Sequence, residues 1–419
     1  MTRQGDRRRV VITGIGAVSP NGIGAAAYAA ACAAGESGLS WLSGIDTTPL
    51  KSTVAAHVRD FDPVPVVGPI EARRLPRMVP MAIQAAREAL AAAGLDVGPD
   101  DLDLQRSIGV ALGTGGGGIA MIEDLYREFF RTGKGSVFAI TAGTHGNLSS
   151  DISIALRLRG PSHVMSTGCT SSTDAIGYAA MLVRAGVIPR MVAGGADAPI
   201  ATAVLTAFEK MRVVTTRRWE SPAHASRPFS ADRDGFVLGE GAWMFVLEDR
   251  DAALARGAAI LGEVAGYAST CDAYHRVQIA PDVQEPVRAI ELALADAGLT
   301  KEDVGYVNLH GTSTDLNDRL ETAAIRKCFG PHADRLACSS TKSMIGHPQG
   351  ACGAAGLAAT LLCMRAGVVH PTINLTTPDP ACDLDYVPNV ARRQRVEVAL
   401  CNCIAFGSKN SALVVTRGV

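Results

Sequence analysis

The chain has 419 residues, of which 47% are hydrophobic and 19% charged, with a formal net charge of −1. This composition excludes a disordered chain and gives no reason to expect a nucleic-acid or membrane-surface partner held by bulk charge. Ten cysteines are scattered along the sequence, and Cys401 with Cys403 is the only close pair, so neither a disulfide scaffold nor a zinc site is expected.

No apolar run reaches the roughly 18 residues of a membrane span. The basic start, Met1 to Arg9, leads into a strand and not into the apolar core of a signal peptide. A reducing cytoplasm is the expected compartment. Val10 to Gly16 reads as a buried strand ending in a turn. Helices are predicted near Ala25–Ala34 and Pro80–Ala93, and a strand over Ser107–Gly113 runs into the glycines 115–118. Further strands are predicted at Val164–Ser166 and Arg190–Ala196, separated by a helix that begins near Cys169. Trp243–Leu247 closes the first half. The second half repeats the rhythm: strand Ile260–Tyr267, helix Glu285–Ala297, strand Val304–Leu309, strand Ala337–Ser340, helix Gly350–Arg365, and a hairpin of Cys401–Phe406 with Ala412–Thr416. Alternating strands and helices predict parallel sheets covered on both faces. The rhythm suggests a duplicated α/β unit, with halves at 1–256 and 257–419 and with Cys169 and the Lys342–His347 loop at corresponding corners.

Cys169 stands where a helix would begin, with Ser171, Ser172, Thr173 and Asp174 available for its first turn. Unpaired N–H groups at such a start favour the thiolate, so a lowered thiol pKa is expected. Most buried cysteines are inert packing residues, but the glycine before this one and the polar turn after it set it apart. His310 ends an apolar strand and is followed by Gly311-Thr312-Ser313-Thr314, a corner that presents side chains from a sheet end. His347 lies between Gly346 and Pro348. Lys342 shares its loop, and Glu321 is a carboxylate that would fix that lysine in the site. His57, His163, His332 and His370 read as structural. Phe406, in the turn between two apolar runs, can aim its N–H at a substrate oxygen while its ring gates the thiol. One thiol with two imidazoles suits carbon–carbon bond formation between thioesters, since thiolate holds an acyl group and neutral imidazole N–H groups stabilise an enolate.

Val11-Ile12-Thr13-Gly14, Gly168-Cys169, Asn308 to Thr314, Asp318 with Glu321, Lys342 to His347 and Phe406-Gly407 together resemble the β-ketoacyl-acyl carrier protein synthases of the thiolase superfamily, over essentially the whole chain. Ser166 to Ser171, Ala225 to Phe229, Asp232 to Leu238 and Cys382 to Pro388 carry a closer likeness to the catalytic (alpha) ketosynthase subunit of type II polyketide synthases. The closing turn departs from the family pattern at Ala405, Ser408 and Lys409, and Gly-Thr-Ser-Thr after His310 is closer to the fatty-acid enzymes.

The resemblance implies a thiolase fold, two duplicated α/β halves in a five-layered α-β-α-β-α arrangement, and an acyltransferase that needs no metal or other cofactor. It implies that Cys169 takes an acyl group from the phosphopantetheine arm of an acyl carrier protein, and that His310 and His347 stabilise the enolate left by malonyl decarboxylation. The N–H groups of Cys169 and Phe406 would hold the tetrahedral oxyanion, Lys342 and Glu321 would orient the histidines, and Thr312 and Thr314 would bind the pantetheine arm. Implied partners are the carrier protein and a homologous chain-length factor lacking the nucleophile, giving a heterodimer or a dimer of heterodimers. Rivals are a homodimeric fatty-acid synthase II-like enzyme, a non-catalytic partner subunit, and a coenzyme A-dependent thiolase. Carrier proteins are acidic, so Arg73, Arg74 and Arg77 form the first docking candidate and Arg127, Arg131 and Lys134 the second. Gly113 to Gly118 is a weak nucleotide-loop candidate, because no Gly-Lys-Ser/Thr follows it.

Overall fold

The computed structural model describes residues 8–418; residues 1–7 of the basic start lie outside the described residues. Ten main strands are β1 (Val10–Ser19), β2 (Ile108–Gly113), β3 (Ser162–Met165), β4 (Arg190–Asp197), β5 (Gly241–Asp249), β6 (Gly262–Cys271), β7 (Tyr306–Asn308), β8 (Ala337–Ser339), β9 (Val398–Ala405) and β10 (Lys409–Thr416). The helices that matter here are α1 (Ala25–Ala34), α2 (Met78–Ala92), α3 (Ile119–Thr132), α4 (His145–Leu156), α5 (Ser171–Arg184), α6 (Gln284–Ala297), α7 (Asp315–Phe329) and α8 (Cys352–Ala366).

Strand order states the duplication. The first half runs β3-β2-β4-β5-β1 and the second β8-β7-β9-β10-β6, so each strand has its counterpart five strands later. Pairing senses repeat as well. β2 is parallel to β3 and β4, as β7 is to β8 and β9, whereas β4–β5, β5–β1, β9–β10 and β10–β6 are antiparallel. The sheets are therefore mixed, not parallel throughout. The antiparallel members arise where each half closes with a strand that turns back, as β9 does through the tight turn into β10. Val11 and Ile12 pair with Glu263 and Gly262, joining the halves edge to edge.

Three apolar layers separate the sheets. α2 and α4 cover the outer face of the first half, and α6 and α7 cover that of the second. Between them lie α1, α5 and α8, buried among residues of both sheets. This is the five-layered α-β-α-β-α arrangement. Small residues make the close approaches possible. A Cβ at Gly14 or Gly16 would fall 1.9 Å from the carbonyl oxygen of Ala89 or Ala85 on α2. In the central layer the N–H of Ala354 on α8 donates to Oγ of Ser172 on α5 at 2.9 Å. Among the described residues, no helix is long and apolar enough to cross a membrane.

Candidate active site

The two central helices begin in the same way. A 3-10 turn, Gly168–Thr170, feeds α5, and another, Gln349–Ala351, feeds α8. Cys169 is the middle residue of the first turn. Gly168 before it has φ 71°, a left-handed conformation that glycine adopts without strain. Ser171 Oγ donates to the Gly168 carbonyl at 2.5 Å and accepts the Thr167 N–H at 2.9 Å, fixing the corner.

His310 follows β7 at its sheet end. Glu321, on α7, accepts the main-chain N–H groups of His310 and Gly311, each at 2.7 Å, and the side-chain N–H of Asn402 at 2.6 Å. Its oxygens are thereby committed, so it anchors the main chain under His310 and reaches Lys342 only as a nearby charge. This corrects the expected Lys342–Glu321 pair. Burial raises the Glu321 carboxyl to about 7 against the pull of these donors. Asp318 does similar work one turn earlier. It accepts the N–H groups of Thr312 and Phe229 and lies 3.4 Å from the buried Arg233 guanidinium.

His347 is held by strand-like pairing, donating its N–H to Val237 O at 2.7 Å and accepting from the Gly239 N–H at 3.0 Å. Its ring meets His310 edge-on, with centroids 5.3 Å apart, and Phe236 on another side at 5.2 Å. Sγ of Cys169 and a ring nitrogen from each of His310 and His347 all lie within 4.8 Å of one another. Residues spread over nearly half of the chain thus meet at one point. Cys169, His310, His347, Thr312, Thr314 and Phe406 line a single cavity of about 280 Å³. The Thr312 and Thr314 hydroxyls bond each other at 2.9 Å on its wall.

The electrostatics separate thiol from imidazoles. Burial, then the Lys342 charge, drives His310 down to about 3, and burial also lowers His347, so both rings are neutral at physiological pH. The thiol of Cys169 is pushed up, by burial first and by neighbouring Cys352 next, although the Lys342 charge and the Phe406 N–H favour its thiolate. A lowered value was expected from the helix start. The correction has a structural cause: α5 begins two residues later, and Cys169 is buried in a cluster with Cys352, Cys403 and Ala405.

Other sequence expectations divide. The glycine loop after β2 is no phosphate cradle. Asp197 accepts the N–H groups of Gly115, Gly116 and Gly350 and the hydroxyl of Thr114, which uses up the donors a phosphate would need. Arg77 is no free docking residue either: it forks onto buried Glu240 and donates to Val58 O. Arg73 and Arg74 are exposed, the latter paired with Glu71, and Arg127 and Arg131 pair with acidic neighbours on α3. His370 is buried with Tyr306, Asn308 and Ser339, and His332 bonds the Val304 carbonyl, both structural. Sequence reasoning missed Asp197 and Asn402, whose partners lie far off in the chain, and treated Cys352 and Cys403 as unremarkable.

Comparison with known proteins identifies the family. Residues 7–253 match the family model for the beta-ketoacyl synthase N-terminal domain, and 261–376 that for the C-terminal domain. The tetracenomycin polyketide synthase ketoacyl synthase alpha subunit of Streptomyces glaucescens is 41% identical over 429 residues, covering 100% of this chain and 99% of that protein. The 3-oxoacyl-[acyl-carrier-protein] synthase 2 of Synechocystis is 40% identical over 414 residues, covering 98% and 99%. Among solved structures, the ishigamide ketosynthase/chain length factor has a TM-score of 0.91 and 34% identity, covering 99% of this chain and 100% of that one. A type II PKS acyl-carrier protein in complex with its ketosynthase bound to the hexaketide gives 0.91 and 32%, with the same coverage. The fold is the thiolase fold of these ketosynthases, and the chain belongs to the β-ketoacyl synthase family.

Proposed function

We propose that this chain is the active ketosynthase subunit of a type II polyketide synthase, paired with a chain-length factor and served by an acyl carrier protein. Membership of the family makes it a condensing acyltransferase, of a kind that uses no metal or small cofactor and receives acyl groups on phosphopantetheine. The observation that carries the finer reading is the intact group of Cys169, His310 and His347, converging at one cavity. A non-catalytic partner would have no use for it.

In this reading the condensation uses these residues in turn. Cys169 attacks the carrier-bound acyl thioester, and its proton leaves with the departing pantetheine sulfur. The malonyl thioester then enters along the wall that carries the Thr312 and Thr314 hydroxyls. Its carbonyl oxygen takes hydrogen bonds from neutral His310 and His347 as carbon dioxide departs. The resulting enolate carbon attacks the acyl-Cys169 carbonyl, and the tetrahedral oxyanion sits between the N–H groups of Cys169 and Phe406. Each such donor contributes about 3 kcal/mol where oxyanion holes have been tested. Collapse expels the Cys169 sulfur and leaves a β-ketoacyl chain on the carrier.

The likeness to a ketosynthase/chain length factor structure supports a partner subunit. So do the side chains of Phe130, Val137 and Ile140, which are 83%, 78% and 73% exposed on and after α3, since apolar surface of this kind marks an interaction face. A homodimeric fatty-acid synthase is the second reading, favoured by the Synechocystis relative. Mass spectrometry of carrier-bound products, made with and without a co-expressed Cys-less homologue, separates them. Products that require the homologue support the first reading, and full elongation without it overturns that reading.

A further inference from the structure

Behind the catalytic thiol, two more cysteines meet His310. Sγ of Cys352 and Sγ of Cys403 stand 3.6 Å apart, and Cys403 Sγ lies 3.5 Å from Nδ1 of His310. Both S–H groups point at the carbonyl oxygen of Cys169, at 3.2 and 3.1 Å. All three side chains are buried, and one ligand atom from each lies within 4.8 Å of the others. No step of the condensation uses Cys352 or Cys403.

The spacing is that of a coordination polyhedron. A tetrahedral ion with Zn–S of about 2.3 Å and Zn–N of about 2.0–2.1 Å sets its ligand atoms about 3.5–3.8 Å apart. The sulfur–sulfur separation and that from Cys403 Sγ to Nδ1 of His310 fall on those edges. A disulfide instead needs its sulfurs at about 2.05 Å, which these two reach only by moving together. Two sulfurs and an imidazole nitrogen suit a borderline-soft ion, whereas magnesium and calcium take oxygen ligands.

We propose that Cys352, Cys403 and Nδ1 of His310 form a binding site for a zinc(II)-class ion, with the carbonyl oxygen of Cys169 facing its fourth position. On binding, both thiols release their protons to solvent, and two thiolates offset the charge of the ion. The carbonyl exchanges two S–H donors for the cation. Of the three ligands, His310 lines the catalytic cavity. The ion touches no reacting atom; ligation at Nδ1 fixes the remaining ring proton of His310 on Nε2.

The test uses the full chain, metal-stripped and kept under a phosphine reductant, titrated with Co²⁺ and then Zn²⁺. The expected result is one Co²⁺ per chain with a thiolate-to-cobalt charge-transfer band that Zn²⁺ abolishes. Cys352→Ala and Cys403→Ser should each weaken Zn²⁺ binding by at least about 10- to 100-fold, the cost of losing even an outer-shell partner, while Cys169→Ala leaves it unchanged. X-ray absorption on the zinc-loaded wild type, which needs no variant to fold, should show two sulfurs and an imidazole nitrogen around the metal. The absence of stoichiometric uptake overturns the proposal. So does a band lost in Cys169→Ala but kept in the other two variants, which would place the ion on the catalytic thiol. Disappearance of two titratable thiols without bound metal would mark a disulfide and overturn it equally.

Discussion

The corners that open α5 and α8 are the same piece of architecture put to different uses. In the first half, residues 166 and 167 alone separate β3 from its 3-10 turn, and the middle residue of that turn is Cys169. In the second, residues 340–348 intervene between β8 and the matching turn, forming a one-turn helix at Lys342–Ile345 and delivering His347. The middle residue of that second turn is Gly350, where a Cβ would fall 2.1 Å from the Gly115 nitrogen. Duplication supplied two equivalent sheet ends. One corner kept a short connection and presents a nucleophile. The other packs its glycine against the loop that follows β2 and gained a segment that carries a cation and an imidazole. The chemistry is therefore asymmetric on a symmetric frame.

That division is broken most severely by Cys169→Ala. Elongation should fall by at least about 10⁴-fold, as when other covalent nucleophiles are removed, because neither Cys352 nor Cys403 lies on the cavity wall. Carrier-bound product measured by intact mass is the readout, and undiminished elongation would remove the nucleophile assignment. His310→Ala and His347→Ala should instead separate the half-reactions. Each should slow malonyl decarboxylation by about 100- to 1,000-fold, the effect of losing one oxyanion donor, while self-acylation of Cys169 changes far less. Rapid carbon dioxide release from either variant would count against the enolate role.

Gly350→Ala tests the frame itself. The new methyl group meets main-chain atoms of Gly115 and Thr114 at 2.1 and 2.5 Å, which cannot yield as a flexible side chain would. Overpacking of this kind costs about 3 kcal/mol, so the urea midpoint should drop clearly. An unchanged midpoint would mean that the turn at Gly350 can move away from the Thr114–Gly115 loop.

Much of this was legible in the sequence. β-branched runs ending in glycine located most strands to within a few residues, and the Cys169, His310 and His347 motifs named the residues that meet. What stayed hidden depends on distant partners. The commitment of Glu321 to the main chain under His310 needs α7 packed against β7. The meeting of Cys352 with Cys403 needs α8 beside β9, so counting cysteine spacings along the chain discards it. The direction of the Cys169 shift differs from the sequence expectation because a helix start is visible in sequence whereas the burial of the sulfur beside Cys352 and Cys403 is not.

The imidazoles sharpen the contrast between the corners through pH. His310 sits at about 3 in the folded chain against 6.5 unfolded. The unfolded chain therefore binds the extra proton between those values. This contribution to stability is complete above pH 6.5 and is lost as pH falls toward 3. Ring-¹⁵N spectra should accordingly show His310 neutral from pH 8 to pH 5. Protonation near pH 6.5 would mean that the pocket is wetter than its burial indicates. Asp197, raised by burial to about 6, works in the opposite direction, because the folded state takes up its proton first.

The smallest effect belongs to the surface, where the three arginines of residues 73–77 are not equivalent. Arg77 is tied to Glu240 with its fork inward, whereas Arg73 reaches only its own Pro69 carbonyl and Arg74 an exposed Glu71. Reversing Arg77 to Glu would set two carboxylates together at a buried site, and it should lower the melting temperature without reporting on docking. Arg73→Glu with Arg74→Glu leaves the core alone and removes only long-range attraction for an acidic carrier. Rim charges of this kind change association mainly at low salt. The double variant should therefore weaken carrier-protein affinity by about 5- to 10-fold at low ionic strength, and the difference should shrink as salt is raised. Equal affinities at low salt would place the docking face elsewhere, and they would leave the catalytic corner and its frame untouched.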